Sequence, residues 1–284
     1  MLKVIKMDVF RMFKSKYTYI VLVAAMLMMF ASVFMSQQDI SYYQQTPSAM
    51  ETLQETGDEV NWGIYIGQVS PEWCVDGAKI PLPELVSMNI QSKLLLMFLV
   101  AFIALFAGNE IRTGFIKNIV GQTRHRWELV IGKLLSIAVF TAVLLIAAVL
   151  AIMVGSVCFF GYVHIEEAGK FIGFLGIQYL LHIAYGSVIL FFVYLFQSIV
   201  ASLLTGILLA AGILQVVDAL LINMIPRLKE MTDFSIMNYL SSGNVGLISM
   251  ASGSSMYLKA VAIAVITLIL MSSLSGLILQ KKDI

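Results

Sequence analysis

The residues of this chain able to do chemistry fall into two groups. Gln178, His182 and Tyr185 recur at i, i+4 and i+7 inside an apolar run and so share one helical face. An amide, an imidazole and a phenol in line can form a polar strip that lines a path or holds a substrate. The same three groups also serve as interhelical hydrogen bonds, the commoner use in helical bundles and worth about 1 kcal/mol each. The second group is the segment 109–133, NEIRTGFIKNIVGQTRHRWELVIGK, between two long apolar runs. It carries Arg112, Lys117, Arg124, Arg126 and Lys133 against Glu110 and Glu128. Its charge suits docking to a partner. Catalysis has no comparable basis. The chain has no phosphate-binding loop of the Gly-x-x-x-x-Gly-Lys type, no His-Glu-x-x-His and no Gly-x-Ser-x-Gly. His125, His164 and His182 are scattered and suggest no metal site, and no paired acids or nucleophile–base set supports an intramembrane enzyme. No cofactor and no nucleic-acid partner are expected.

These groups sit in a greasy chain. Of 284 residues, 60% are hydrophobic and 12% charged, with a mean hydropathy of +0.90. A soluble domain is about 25% charged. The composition therefore predicts an all-α integral membrane protein whose main partner is the lipid bilayer. Residues 1–16 read as an interfacial amphipathic helix, with Leu2, Ile5, Val9, Met12 and Phe13 on one face and cations mostly on the other. Spans are expected at 17–36, 88–108, 129–160, 171–196, 198–217 and 257–279. Each is long enough for a hydrocarbon core of about 30 Å. Residues 37–87 are acidic and aromatic and should form an outer cap; Lys93 is expected to snorkel toward the headgroups. Residues 218–256 should dip into the outer leaflet without crossing. Cys74 and Cys158 form no metal motif and permit at most one disulfide.

Six spans put both termini on one side, and the cations choose which. Of the 18 basic residues, 12 fall before the first span, in the central segment and at the end. Of the 17 acids, 13 fall on the other side. Both termini and the segment 109–128 are therefore expected in the cytoplasm. There Ile111, Phe115 and Ile119 share a helical face that could fill an apolar groove of a partner, with Arg112 and Lys117 reaching acids on its rim.

The layout resembles the membrane subunit of a type-2 ATP-binding cassette (ABC) transporter. Shared features are the interfacial entry helix, six spans, a basic helical connection between spans two and three, and a re-entrant segment before span six. Glu110, Gly114, Lys117, Gly121, Arg124 and the Gly132–Lys133 pair match locally. Many members of that family have proline where Gly121 stands. The resemblance implies that Glu110, Arg112, Gly114, Phe115, Lys117, Gly121 and Arg124 belong to a coupling helix docked on a separate ATPase. It also implies two ATPase copies, a second permease chain in a homodimer or heterodimer, a bacterial plasma membrane and export of an amphipathic peptide or lipid-like substrate. Bacterial exporters in lantibiotic and bacitracin immunity share the polar outer cap. The alternative is a membrane-bound sensor that binds a ligand on its cap and signals to a cytoplasmic partner.

Overall fold

The computed structural model describes residues 2–56, 63–67, 69–75, 77–116, 126–224 and 235–281. Among these residues the fold is all-helical, with no strand. Helix α1 (Leu2–Lys14) turns at Ser15 into α2 (Lys16–Gln45). The cap follows, with α3 (Pro47–Thr56) and a 3-10 turn at Pro71–Cys74. Then come α4 (Leu82–Gln91), α5 (Leu94–Arg112), α6 (Trp127–Phe160) and α7 (Ala168–Phe196). Last are α8 (Ile199–Ala210), α9 (Leu214–Met224), a 3-10 turn at Ile236–Tyr239, α10 (Ser241–Leu247) and α11 (Ser254–Lys281).

Five of these helices, α2, α5, α6, α7 and α11, are long and apolar enough to cross a membrane, and α8 with α9 makes a sixth if the bent pair is one span. The 34 residues of α6 make a rod about 51 Å long, well beyond the hydrocarbon thickness. α5 and α7 are the most enclosed spans and α11 the most exposed. α5 and α6 meet through stacked rings of Phe102 and Phe140, whose centroids are 3.6 Å apart.

Two expected spans are broken. The second is split into α4 and α5 at Lys93, which adopts a left-handed φ of 60°. Ser92 bridges the break: its hydroxyl donates to the Asn89 carbonyl at 2.6 Å and accepts from the Leu94 amide at 3.3 Å. The Lys93 side chain does not snorkel, because it is fully buried at 0% exposure. It lies against α10, within 3.0 Å of where a side chain on Gly246 would begin. The fifth span bends by 55° between α8 and α9. Gly212, with φ 80°, supplies the turn.

The cap is held by one side-chain bond within it and by two of its amides, which bond to the turn that follows α6. The Trp73 indole donates to Glu84 at 3.1 Å, the Leu82 amide to the His164 carbonyl at 2.7 Å, and the Ile80 amide to the Tyr162 hydroxyl at 2.9 Å. Cys74 is buried, Cys158 is exposed, and both are free thiols. Burial pushes the Cys74 thiol above its usual pKa.

α1 differs from its expected stripe. Its protein-facing side is Asp8 and Met12, both buried, whereas Phe10 is 64% exposed and Phe13 43%. α1 lies along α6, where Gly132 leaves room for Val4 and Asp8: a side chain there would begin 3.0 Å from an Asp8 oxygen. An acid on the buried face of an otherwise basic helix needs a partner, and the site below supplies it.

Candidate coupling site

Three helices meet at one end of the bundle and each contributes charge. Asp8 and Arg11 come from α1, Glu110 from the last turn of α5, and Lys133 from the second turn of α6. The Lys133 ammonium lies 3.0 Å from Asp8 Oδ1 and 2.5 Å from Glu110 Oε1. Arg11 Nη1 stands 3.0 Å from the same Glu110 oxygen. Asp8, Glu110 and Lys133 are buried, and Arg11 is part-exposed. Two aromatic rings complete the cluster. Phe106 lies 4.2 Å below the Lys133 ammonium, and Phe115 lies 3.5 Å from the Arg11 guanidinium carbon. Two acids and two bases cancel, so burial leaves no net charge.

Such a cluster does little for net stability against a well-packed apolar one. Its geometry suits it to setting the register of the helices. Each ion must meet its partner once the others are in place, so α1, α5 and α6 are fixed in one register. The segment that leaves α5 and returns in α6 is therefore anchored at its first end to α1.

Its second end is anchored too. Arg126 Nη1 donates to the Leu279 carbonyl at 2.5 Å and the Gln280 carbonyl at 3.3 Å, taking acceptors that the end of α11 leaves unused. Trp127 covers Gly276 of α11 so closely that a side chain there would begin 2.6 Å from the ring. Trp127 is thus an interhelical packing residue.

Gly114 ends α5. Its φ of 68° is left-handed, and its amide donates to the Ile111 carbonyl at 3.1 Å, a turn that closes a helix C-terminus. Of the residues read as a docking face, Ile111 and Phe115 are half-buried, with Phe115 turned to Arg11. Arg112 and Thr113 are exposed. Among the described residues of this segment the exposed ones are therefore polar, while Ile111 and Phe115 are used at least partly inside the protein. Lys117, Gly121 and Arg124, with Ile119, lie outside the described residues.

The strip on α7 is brought together and sealed. Gln178, His182 and Tyr185 are 0%, 0% and 2% exposed. The Gln178 amide nitrogen donates to the Val245 carbonyl of α10 at 3.0 Å, and Gln91 of α4 donates to the Ile248 carbonyl at 2.9 Å. The Tyr185 hydroxyl donates to the Gly206 carbonyl of α8. His182 Nδ1 is 2.7 Å from the Gln178 carbonyl. A carbonyl can only accept, so Nδ1 carries the proton and Nε2 is a bare acceptor. Neither that Nε2 nor Gln178 Oε1 has a hydrogen-bond partner. In this conformation the strip works as interhelical linkage, holding α10 against α7.

Asp218, at the bent end of the fifth span, also has a structural task. It accepts from the Ser235 hydroxyl at 2.6 Å and the Ile236 amide at 2.9 Å, which caps the 3-10 turn before α10. Among the described residues no cluster of His, Cys, Asp or Glu is arranged to hold a metal ion.

Sequence reading marked Glu110 and Lys133 but missed Asp8 and Arg11 as their partners. The available signal was an acid one turn from an arginine on a short basic helix. The partnership with Lys133 spans 125 positions and has no local signature. No family model matches the chain, and no curated protein matches it either.

Proposed function

We propose that this chain is the non-catalytic membrane subunit of an ATP-driven exporter. It is built into a bacterial plasma membrane with both termini in the cytoplasm. It pairs with a second permease chain, and two separate ATPase subunits bind the connection between α5 and α6. Its cargo is an amphipathic peptide or a lipid-like molecule. The observation that carries this reading is the double anchoring of the connection. Glu110 and Lys133 tie it to α1, while Arg126 and Trp127 tie it to α11. A push on a connection so held reaches the interfacial helix and the last span together. A loop that merely reverses the chain has no need of either anchor. The α7 strip supports a role in cargo passage only if α10 lifts, which would expose the bare acceptors of Gln178 and His182.

Arg112 is exposed and in the last turn of α5, so its replacement leaves the cluster intact. Arg112→Glu reverses the charge offered to an acidic groove rim. Like-charge contact at an interface costs several kcal/mol. Cells making this variant should lose at least about tenfold of the chain's protection against a panel of amphipathic peptides, since about 1.4 kcal/mol already equals tenfold. The variant should still reach the membrane in normal amount. Undiminished protection by Arg112→Glu, in cells where deleting the ATPase removes it, would count against docking at this end.

A further inference from the structure

The elbow between α1 and α2 encloses a cavity of about 190 Å³. Arg11, Ser15 and Tyr17 line one side, and Asn109, Glu110 and Thr113 on α5, together with two apolar residues of that helix, line the other. No step of the coupling reading uses this space.

Its depth in the bilayer follows from α1. Phe10 and Phe13 are exposed on that helix beside the exposed cations Lys6 and Lys14. Apolar rings and ammonium groups side by side on one surface belong at the boundary between headgroups and acyl chains. The cavity therefore opens at headgroup level.

Its charge follows from the cluster behind it. Glu110 lines the cavity, but its Oε1 already faces both Lys133 and Arg11. The four clustered charges cancel. The balance is tipped by the exposed Lys14, Lys16 and Arg112, each a sequence neighbour of a lining residue. The Arg11 guanidinium is held flat by the Phe115 ring and by Glu110. A guanidinium has five donors in a planar fork, so one held by a single carboxylate oxygen can also serve a second oxyanion. Ser15 and Tyr17, both hydroxyl-bearing, line the same side.

We propose that this cavity binds the phosphate of an anionic lipid headgroup, with Arg11 as its main contact. The bound lipid would brace the elbow at the end of α5 that leads into the connection.

The test is native mass spectrometry of the purified full-length chain, titrated with dioleoyl phosphatidylglycerol, dioleoyl phosphatidylcholine or inorganic phosphate. Phosphatidylglycerol should be retained at least about tenfold more tightly than phosphatidylcholine, as expected for a charge-assisted contact with an arginine. That preference should disappear in Arg11→Gln. Because Arg11 also meets Glu110, that variant can fail for lack of folding. Thr113→Trp is the second arm: it fills the cavity from an exposed position and leaves the Arg11–Glu110 pair in place. It too should abolish the preference. Equal retention of the two lipids overturns the proposal, as does an undiminished preference in Thr113→Trp. Displacement of phosphatidylglycerol by inorganic phosphate overturns the lipid as its source. The readout is lipid retention, so a failed transport assay leaves it unaffected.

Discussion

Lys133→Met should cost this protein about 3–5 kcal/mol of stability, the usual penalty when one partner of a buried ion pair is removed. Methionine matches the length of the lysine stem but offers no charge. Asp8 and Glu110 are then left buried, and among the described residues Arg11, whose Nη1 meets Glu110, is the one cation still paired with them. The melting temperature in detergent should drop sharply, and α1 should exchange its amides faster than the rest of the bundle. The quadruple change Asp8→Leu, Arg11→Met, Glu110→Met, Lys133→Met should recover most of the loss, because an apolar replacement of a whole buried cluster is often neutral. Recovery of stability without recovery of the proposed export would separate the cluster's part in folding from its proposed part in coupling.

Gly243→Ala should dislodge α10. A side chain at Gly243 would begin 1.9 Å from the Met237 carbonyl oxygen and 2.7 Å from its carbon, both backbone atoms that cannot swing aside. Gly243 and its neighbours Ser241, Ser242, Asn244 and Val245 are all buried. The cost should reach about 3 kcal/mol, the upper end of what over-packing normally costs. It should be local. Hydrogen exchange should quicken across 241–248, where Gln178 and Gln91 hold the carbonyls of Val245 and Ile248. The α2–α6 contact, far from this turn in the chain, should keep its protection. Unaltered exchange in α10 would mean that the turn before it yields easily.

The contrast between these two positions shows what a sequence like this one discloses. Long apolar runs announce the spans because only a helix satisfies its own backbone in lipid. The central basic segment was visible because charge is rare elsewhere in the chain. Glu110 and Lys133 stood out as charges at the ends of greasy helices. Asp8 did not, since an acid on a basic amphipathic helix reads as solvated until a neighbour is known. Lys93 was misread for a related reason: a lysine near a helix end normally reaches water, but here a left-handed break turns it beneath α10. Lysine has no preference for that conformation, so nothing in the local sequence marks the break. Gly212 sits at the bend between α8 and α9, but a lone glycine in an apolar run equally suits a straight span, so 198–217 read as unbroken. The α7 strip was legible as a shared face. Its use as linkage depended on α10, which lies about 60 residues further on and whose placement comes from packing.

The central claim is that a separate ATPase grips the chain where α5 ends. A photo-crosslinking amino acid placed at Thr113, which is exposed, tests it directly in intact cells. The same probe at Lys79, exposed on the cap, is the control. The account predicts one adduct at position 113, carrying a phosphate-binding loop and strengthened or weakened by ATP, and none at position 79. It is contradicted if position 113 captures no nucleotide-binding protein, or if a membrane-impermeant reagent reaches position 113 from outside the cell.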